Sequence, residues 1–260
     1  MKVPNVKALT AAALTTIATL GAANAADMSA PPPYKAPPPP ATYSWTGCYI
    51  GGGGGYGWWT QDSFVEFNGI AFTTSNTSGG SGWFGQGQGG CDYQFTAPIF
   101  NVPAVIGLFG DYEGGDIDGR SSVGGLVGGE RESGAWAVGA RAGALLTPRI
   151  LAFFDGGFTQ AHFGGVNYTT GLAGGGPSGV SLASETYNGW FLGSGFEYSF
   201  DWLPIHGLFL KTEYRYAQYG GNGVSIPMSG FAPAFGIATL NSQKATEMVS
   251  TELVWRFNWH

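Results

Sequence analysis

Lys211, Glu213 and Arg215 occupy alternate positions in a run whose intervening positions are Leu210, Thr212, Tyr214 and Tyr216. The same spacing recurs along the chain. Glu252 and Arg256 alternate with Leu253, Trp255 and Phe257. Asp111 and Glu113 oppose Ile106, Leu108 and Tyr112. Arg141 opposes Trp136 and Val138, Asp155 opposes Phe154 and Phe158, and Glu197 opposes Phe196 and Tyr198. Carboxylates collected on one face could do general acid–base chemistry. Here they come with arginines and lysines at matching positions. The reading this favours is an ion network that neutralises itself. A narrow or gated pore lined by the same groups is the functional alternative.

Other chemistries find no constellation. His162, His206 and His260 are far apart and cannot share a metal, and His162 has only Thr159 and loop serines nearby. A nucleophile–base–acid arrangement is therefore missing. The glycine runs Gly51 to Gly55 and Gly85 to Gly90 are followed by no Gly-Lys-Ser/Thr and no helix, so they hold no nucleotide. No catalytic residue, metal site or cofactor is expected. The net charge of -6 argues against nucleic acid, which requires a basic face.

The elements that must position these charges are strands. Period-two segments lie at 44–59, 83–95, 104–117, 134–146, 150–163, 187–200, 207–219 and 245–259. Only 11% of residues are charged, 15% are aromatic and 46 are glycine. No stretch after the N-terminus has the roughly 20 consecutive apolar residues of a membrane helix. Yet each segment exceeds the roughly 9–11 residues with which a tilted strand crosses a bilayer. Mid-strand charges fall opposite the aromatics, as they must if one face meets lipid, where an Arg or Lys costs about 2–4 kcal/mol. The charged face is then a lumen of ion pairs and water rather than a dry core. Connections at 96–103, 147–149 and 201–206 are short and carry prolines. Those at 60–82, 118–133, 164–186 and 221–244 are longer and rich in Gly, Ser, Thr and Asn. Such alternation marks short periplasmic turns and long outer loops. The expected fold is all-β, an eight-stranded antiparallel up-and-down transmembrane barrel, too narrow for an open channel. Glycine runs in its wall leave room for large lumen side chains.

Residues 1–25 read as a cleaved signal peptide: Lys2 and Lys7, an apolar stretch to Ala22, then Ala23-Asn24-Ala25. Residues 26–42 form a Pro-rich periplasmic tail, and 43–260 the barrel domain. Export places Cys48 and Cys91 in an oxidising compartment. Both share the parity of the lipid-facing set near the start of strand one and the end of strand two, which permits a disulfide. The alternative is two thiols at different heights. Interfacial aromatic girdles are expected from Tyr43, Trp45, Trp202, Trp255 and Trp259 at the periplasmic side. Trp83, Trp190, Tyr187 and Tyr219 are expected at the outer side.

The run Trp45-Thr46-Gly47-Cys48-Tyr49-Ile50-Gly51-Gly52, with Gly55-Tyr56-Gly57-Trp58, resembles the first strand of a small outer-membrane β-barrel family common in alphaproteobacteria. Its members are described as porin-family or outer-membrane immunogenic proteins. Gly87 to Gln94, Gly107 to Tyr112 and Lys211 to Tyr216 continue the resemblance over essentially the whole mature chain. It implies a surface-exposed barrel in the outer membrane of a Gram-negative bacterium, serving envelope integrity, with no catalytic residues. Expected partners are outer-membrane lipid and lipopolysaccharide, the barrel-assembly machinery and periplasmic chaperones, with peptidoglycan or a host surface as further candidates. Two rival roles stay open: a low-conductance porin, and an adhesin or ligand-binding barrel using its outer loops. Leu253, Trp255, Phe257 and Trp259 form an alternating C-terminal assembly signal. The family commonly ends on an aromatic residue; here His260 comes after Trp259.

Overall fold

The computed structural model describes residues 44–71, 73–98, 101–170, 175–200, 205–229 and 238–257. The expected signal peptide and Pro-rich tail, and Tyr43, Trp202, Trp259 and His260, lie outside the described residues. Eight long strands pair in a closed antiparallel ring: β1 (Gly47–Phe67), β3 (Asn76–Ala97), β4 (Val102–Val123), β5 (Leu126–Thr147), β6 (Ile150–Phe163), β9 (Glu185–Ser199), β10 (Leu208–Ser229) and β11 (Ala238–Phe257). β11 closes the ring by pairing with both β10 and β1. Three short strands, β2 (Ile70–Ala71), β7 (Val166–Thr170) and β8 (Pro177–Leu182), decorate one end. We call that the far end. At the near end β1 begins and β11 finishes, with Cys48 opposite Phe257.

Side-chain parity is as the alternation requires. Ile50, Leu108, Phe154, Leu192, Phe196 and Leu253 are exposed on the outer wall. Asp111, Asp155, Glu197, Glu252 and Arg256 of the same strands are buried inside. On β5 the outward face is apolar from Trp136 through Val138, Ala140, Ala142 and Ala144 to Leu146. That stretch of eleven residues fits the roughly 9–11 needed to cross hydrocarbon. Arg131 and Arg149 stand on the outer wall beyond its two ends. This is a membrane-spanning belt.

The strands run well past the belt. β5 has 22 residues, so its far half is hydrogen-bonded wall rather than loop. The expected loop 118–133 is a hairpin whose turn is only Gly124 and Gly125, with φ of 57° and 83°. Two consecutive residues in the left-handed region define the tight turn that matches strand twist, and glycine adopts it without penalty. The expected loop 60–82 is likewise mostly strand, and 164–186 contains the β7–β8 hairpin. In 221–244 β10 continues to Ser229 and β11 starts at Ala238. Polar composition marks loop and extension alike, because a wall above the lipid is wetted on its outer face.

Irregularities gather where belt meets extension. The β4–β5 register shifts between Gly114 and Ile117, the β5–β6 register between Glu132 and Gly134, and the β10–β11 register between Tyr219 and Val224. An extra residue in one strand re-aims the side chains beyond it. On β5 the inward residues are Ala135, Ala137 and Arg141 below the shift, but Glu130 and Glu132 above it. The inward parity has switched.

Candidate functional site: a side-chain stack filling the bore

The bore is filled by layers in which cations lie between carboxylates and aromatic rings. In the near layer Arg141 donates from Nε to Asp92 Oδ1 at 2.8 Å and from Nη1 to Glu197 Oε2 at 3.1 Å, and its Nη2 also pairs with Asp92. Arg256 joins the same two acids, Nη1 to Asp92 Oδ2 at 2.5 Å and Nη2 to Glu197 Oε1 at 2.7 Å. Tyr49 stacks on both guanidiniums, at 4.6 and 4.9 Å. Trp45 and Phe209 flank Arg256 at 4.9 and 5.1 Å. Buried ions require such saturated pairing, because desolvation otherwise exceeds the Coulomb gain.

The middle layer uses Lys211 and Arg215 of β10. Lys211 Nζ lies 2.6 Å from Glu213, 3.5 Å from Glu252 and 2.9 Å from Gln88 Oε1. Arg215 donates to Glu213 at 2.7 Å and in a fork to Asp111 at 3.1 and 2.8 Å. Phe191 covers Arg215 at 4.4 Å, and Phe109 and Phe153 approach Lys211 at 5.7 and 5.6 Å. The glycines of the wall make room. A Cβ on Gly139 would meet the Phe191 ring at 2.8 Å, and one on Gly55 the Phe84 ring at 2.7 Å.

The far layer lies in the extension. Lys244 Nζ is 2.6 Å from Glu130 Oε1 and also donates to Gln61. Phe163, Trp59 and Tyr187 surround it at 4.1, 4.8 and 5.3 Å. One cation is thus held mainly by ring faces, with a single carboxylate.

All ten ionisable residues singled out by alternation are buried in the bore: Asp111, Glu113, Arg141, Asp155, Glu197, Lys211, Glu213, Arg215, Glu252 and Arg256. Eight of them form ion pairs within the stack, whereas Glu113 and Asp155 have carboxylate oxygens without a hydrogen-bond partner. Sequence reasoning left four further charges out of the network. Asp92 had the right parity. Lys244, Glu130 and Glu132 fell in supposed loops, and the last two have the wrong parity for β5 until its register shift is known. The Gly124-Gly125 pair was the signal that could have extended those strands.

Three expectations are corrected. The bore is not simply ion pairs and water, for Phe109, Phe153, Phe191 and Phe209 lie among the charges. Nor is it self-neutralising. Among the described residues its buried ionisable groups are nine acids (Asp92, Asp111, Glu113, Glu130, Glu132, Asp155, Glu197, Glu213, Glu252) and five bases (Arg141, Lys211, Arg215, Lys244, Arg256). Trp45, Tyr187 and Tyr219 leave the girdles and point inward, where they find partners: Trp45 Nε1 donates to Pro148 O at 3.3 Å and Tyr219 lies 3.4 Å from Thr159 Oγ1. Trp83, Trp190 and Trp255 do face outward.

Cys48 and Cys91 sit directly opposite each other in the β1–β3 register and are joined by a disulfide on the outer wall. Leu253, Trp255 and Phe257 face outward on β11, the two rings 4.6 Å apart. His162 accompanies Thr186 at 3.0 Å, on the exposed face.

A closed antiparallel ring with an apolar outer belt and a charged interior defines an outer-membrane β-barrel protein. No protein-family model matches the chain. Curated relatives do. The 31 kDa outer-membrane immunogenic proteins of Brucella melitensis and Brucella suis are each 30% identical over 194 residues, 70% of this chain and 74% of theirs. The chain belongs to that family of outer-membrane immunogenic proteins. Among solved structures, OprG of Pseudomonas aeruginosa is 10% identical, with a TM-score of 0.45, over 83% of this chain and 99% of its own. Neisserial surface protein A is 12% identical, with a TM-score of 0.36, over 82% and 98%.

Proposed function

We propose that this protein is a structural barrel of the Gram-negative outer membrane that contributes to envelope integrity and conducts no solute. The observation that carries the reading is the bore itself. Three cation layers and their aromatic rings stand between the near and far ends, and the cations are fixed by ion pairs and ring faces. A conducting pore needs a continuous wet path, and a small barrel filled by side chains has none. The outward belt anchors the wall in lipid, and the extension of the strands carries the fold beyond it. On this reading the near end is periplasmic, the far end meets lipopolysaccharide and the exterior, and the chain is exported with removal of residues 1–25. The C-terminal residues Leu253, Trp255 and Phe257, with Trp259, serve the assembly machinery.

No catalytic role is proposed, since the exposed His162 has Thr186 and, among the described residues, no carboxylate as its partner. Planar-bilayer recording on the refolded full-length barrel tests the reading. Electrically silent barrels are expected. Steady, ohmic steps from protein shown to be folded would replace it by the narrow-porin reading.

A further inference from the structure

The excess of acids in the bore is not spread evenly. Arg141 and Arg256 are taken by Asp92 and Glu197, Lys211 by Glu213 and Glu252, Arg215 by Asp111 and Glu213, and Lys244 by Glu130. Those pairings use all five bases and six acids. Asp155, Glu113 and Glu132 remain, and the last two lie together. They line one small cavity with Phe84, Gly114 and Ile117, of about 10 Å³. Glu113 is 6% exposed and Glu132 2%. The Oε2 atom of each has no hydrogen-bond partner, and neither residue forms an ion pair among the described residues. The site sits where β4 and β5 shift register, the junction of belt and extension.

We propose that Glu113 and Glu132 form a buried acid pair that holds a proton between them, and that the pair pins the base of the far extension to the belt. Two carboxylates in one dry site cannot both ionise at ordinary pH without a compensating cation. Every element packed around them is already committed. Arg215 of β10 faces its own acids Asp111 and Glu213. Lys244 of β11 faces Glu130 of β5. Tyr219 of β10 is neutral and directed at Thr159 of β6. A metal ion is the weaker occupant, because no group of three or more ligating side chains occurs among the described residues. Loss of the proton to solvent at alkaline pH leaves two like charges facing each other at the β-bulge. The extension above it then loosens while the saturated near layer stays closed.

Infrared spectroscopy of the full-length barrel in lipid reads the proton directly, as the carbonyl stretch of a protonated carboxyl. The expected result is such a band at pH 7 that weakens in Glu132→Gln and falls no further in Glu113→Gln/Glu132→Gln. Hydrogen exchange, corrected for its intrinsic base dependence, reads the consequence. Amides of residues 117–132 should lose about tenfold in protection between pH 6 and pH 9 in the native barrel and not in the double variant, with β11 residues 249–256 unchanged in both. Absence of the band in the native protein alone already overturns the first point, so a variant that failed to fold would not shield the proposal, and a band from Asp155 is told apart by its persistence in the double variant. Absence of the band at pH 7, or the same exchange step in the double variant, overturns it. Protection of 117–132 by millimolar calcium at pH 7 also overturns it, in favour of a metal ion.

Discussion

The near and far parts of the bore solve one problem in two ways. At the near end two guanidiniums meet two carboxylates, Arg141 and Arg256 with Asp92 and Glu197, and the bonds are forked and shared. In the extension one lysine meets one carboxylate inside a ring of Trp59, Phe163 and Tyr187, while Glu132 forms no ion pair among the described residues. The difference arises from the surroundings. Wall residues of the belt face hydrocarbon, and there the cations are held by forked carboxylate bonds, although Asp155, opposite Arg141 in the register, keeps both carboxylate oxygens without a hydrogen-bond partner. The extension is wetted outside, and ring faces suffice to hold its single ammonium. Local stability should therefore fall from near to far.

The largest break in that contrast is Arg256→Met. It strips a partner from both Asp92 and Glu197, and stranding buried charges typically costs about 3–5 kcal/mol. The urea midpoint of the heat-modifiable band in detergent gels should drop accordingly, and an unchanged midpoint would refute the keystone role. Next comes Cys48→Ser/Cys91→Ser. The bridge closes a sequence separation of 43, for which loop entropy gives at most about 4 kcal/mol. The loss should appear in the same assay without reductant and vanish with it. Lys244→Met keeps the stem between the rings but leaves Glu130 without its cation; water entering at the wetted extension offsets part of that cost, so the expected loss is about 1.5–3 kcal/mol, the worth of a hydrogen bond to a charged group. Hydrogen exchange should place that loss in the extension and spare the near layer. The smallest change is Arg131→Ala. Its ion pairs to Asp116 and Asp118, at 3.0 and 3.1 Å, are half-exposed on the outer wall, and such pairs contribute about 0.2–1 kcal/mol. A midpoint shift as large as that of Arg256→Met would erase the distinction between the two regions.

What could be read from the chain depended on which physical rule was local. Alternation is local, so the lipid belt and the ten inward charges were legible from Lys211-Thr-Glu213-Tyr-Arg215 and its counterparts. The aromatics among those charges were visible at the same parity, in Phe153 beside Asp155 and Phe209 beside Lys211. Assigning greasy side chains to lipid alone does not hold for them. The extension was illegible for another reason. A bulge is a property of pairing between strands, and nothing in Glu130-Arg131-Glu132-Ser133-Gly134 announces that an added residue reverses the alternation there. The tight turn at Gly124-Gly125 carried information that a count of polar residues concealed.

The paired strands of the extension have a consequence for anything that approaches the far end. Among the described residues, a visiting macromolecule meets a woven patch of paired strands there. Neighbours on that patch, such as Asn76 and Ser122, come from stretches of chain 46 residues apart. A short synthetic copy of one stretch would reproduce half of each such pair. Recognition of this surface is a test of whether the whole cylinder is intact.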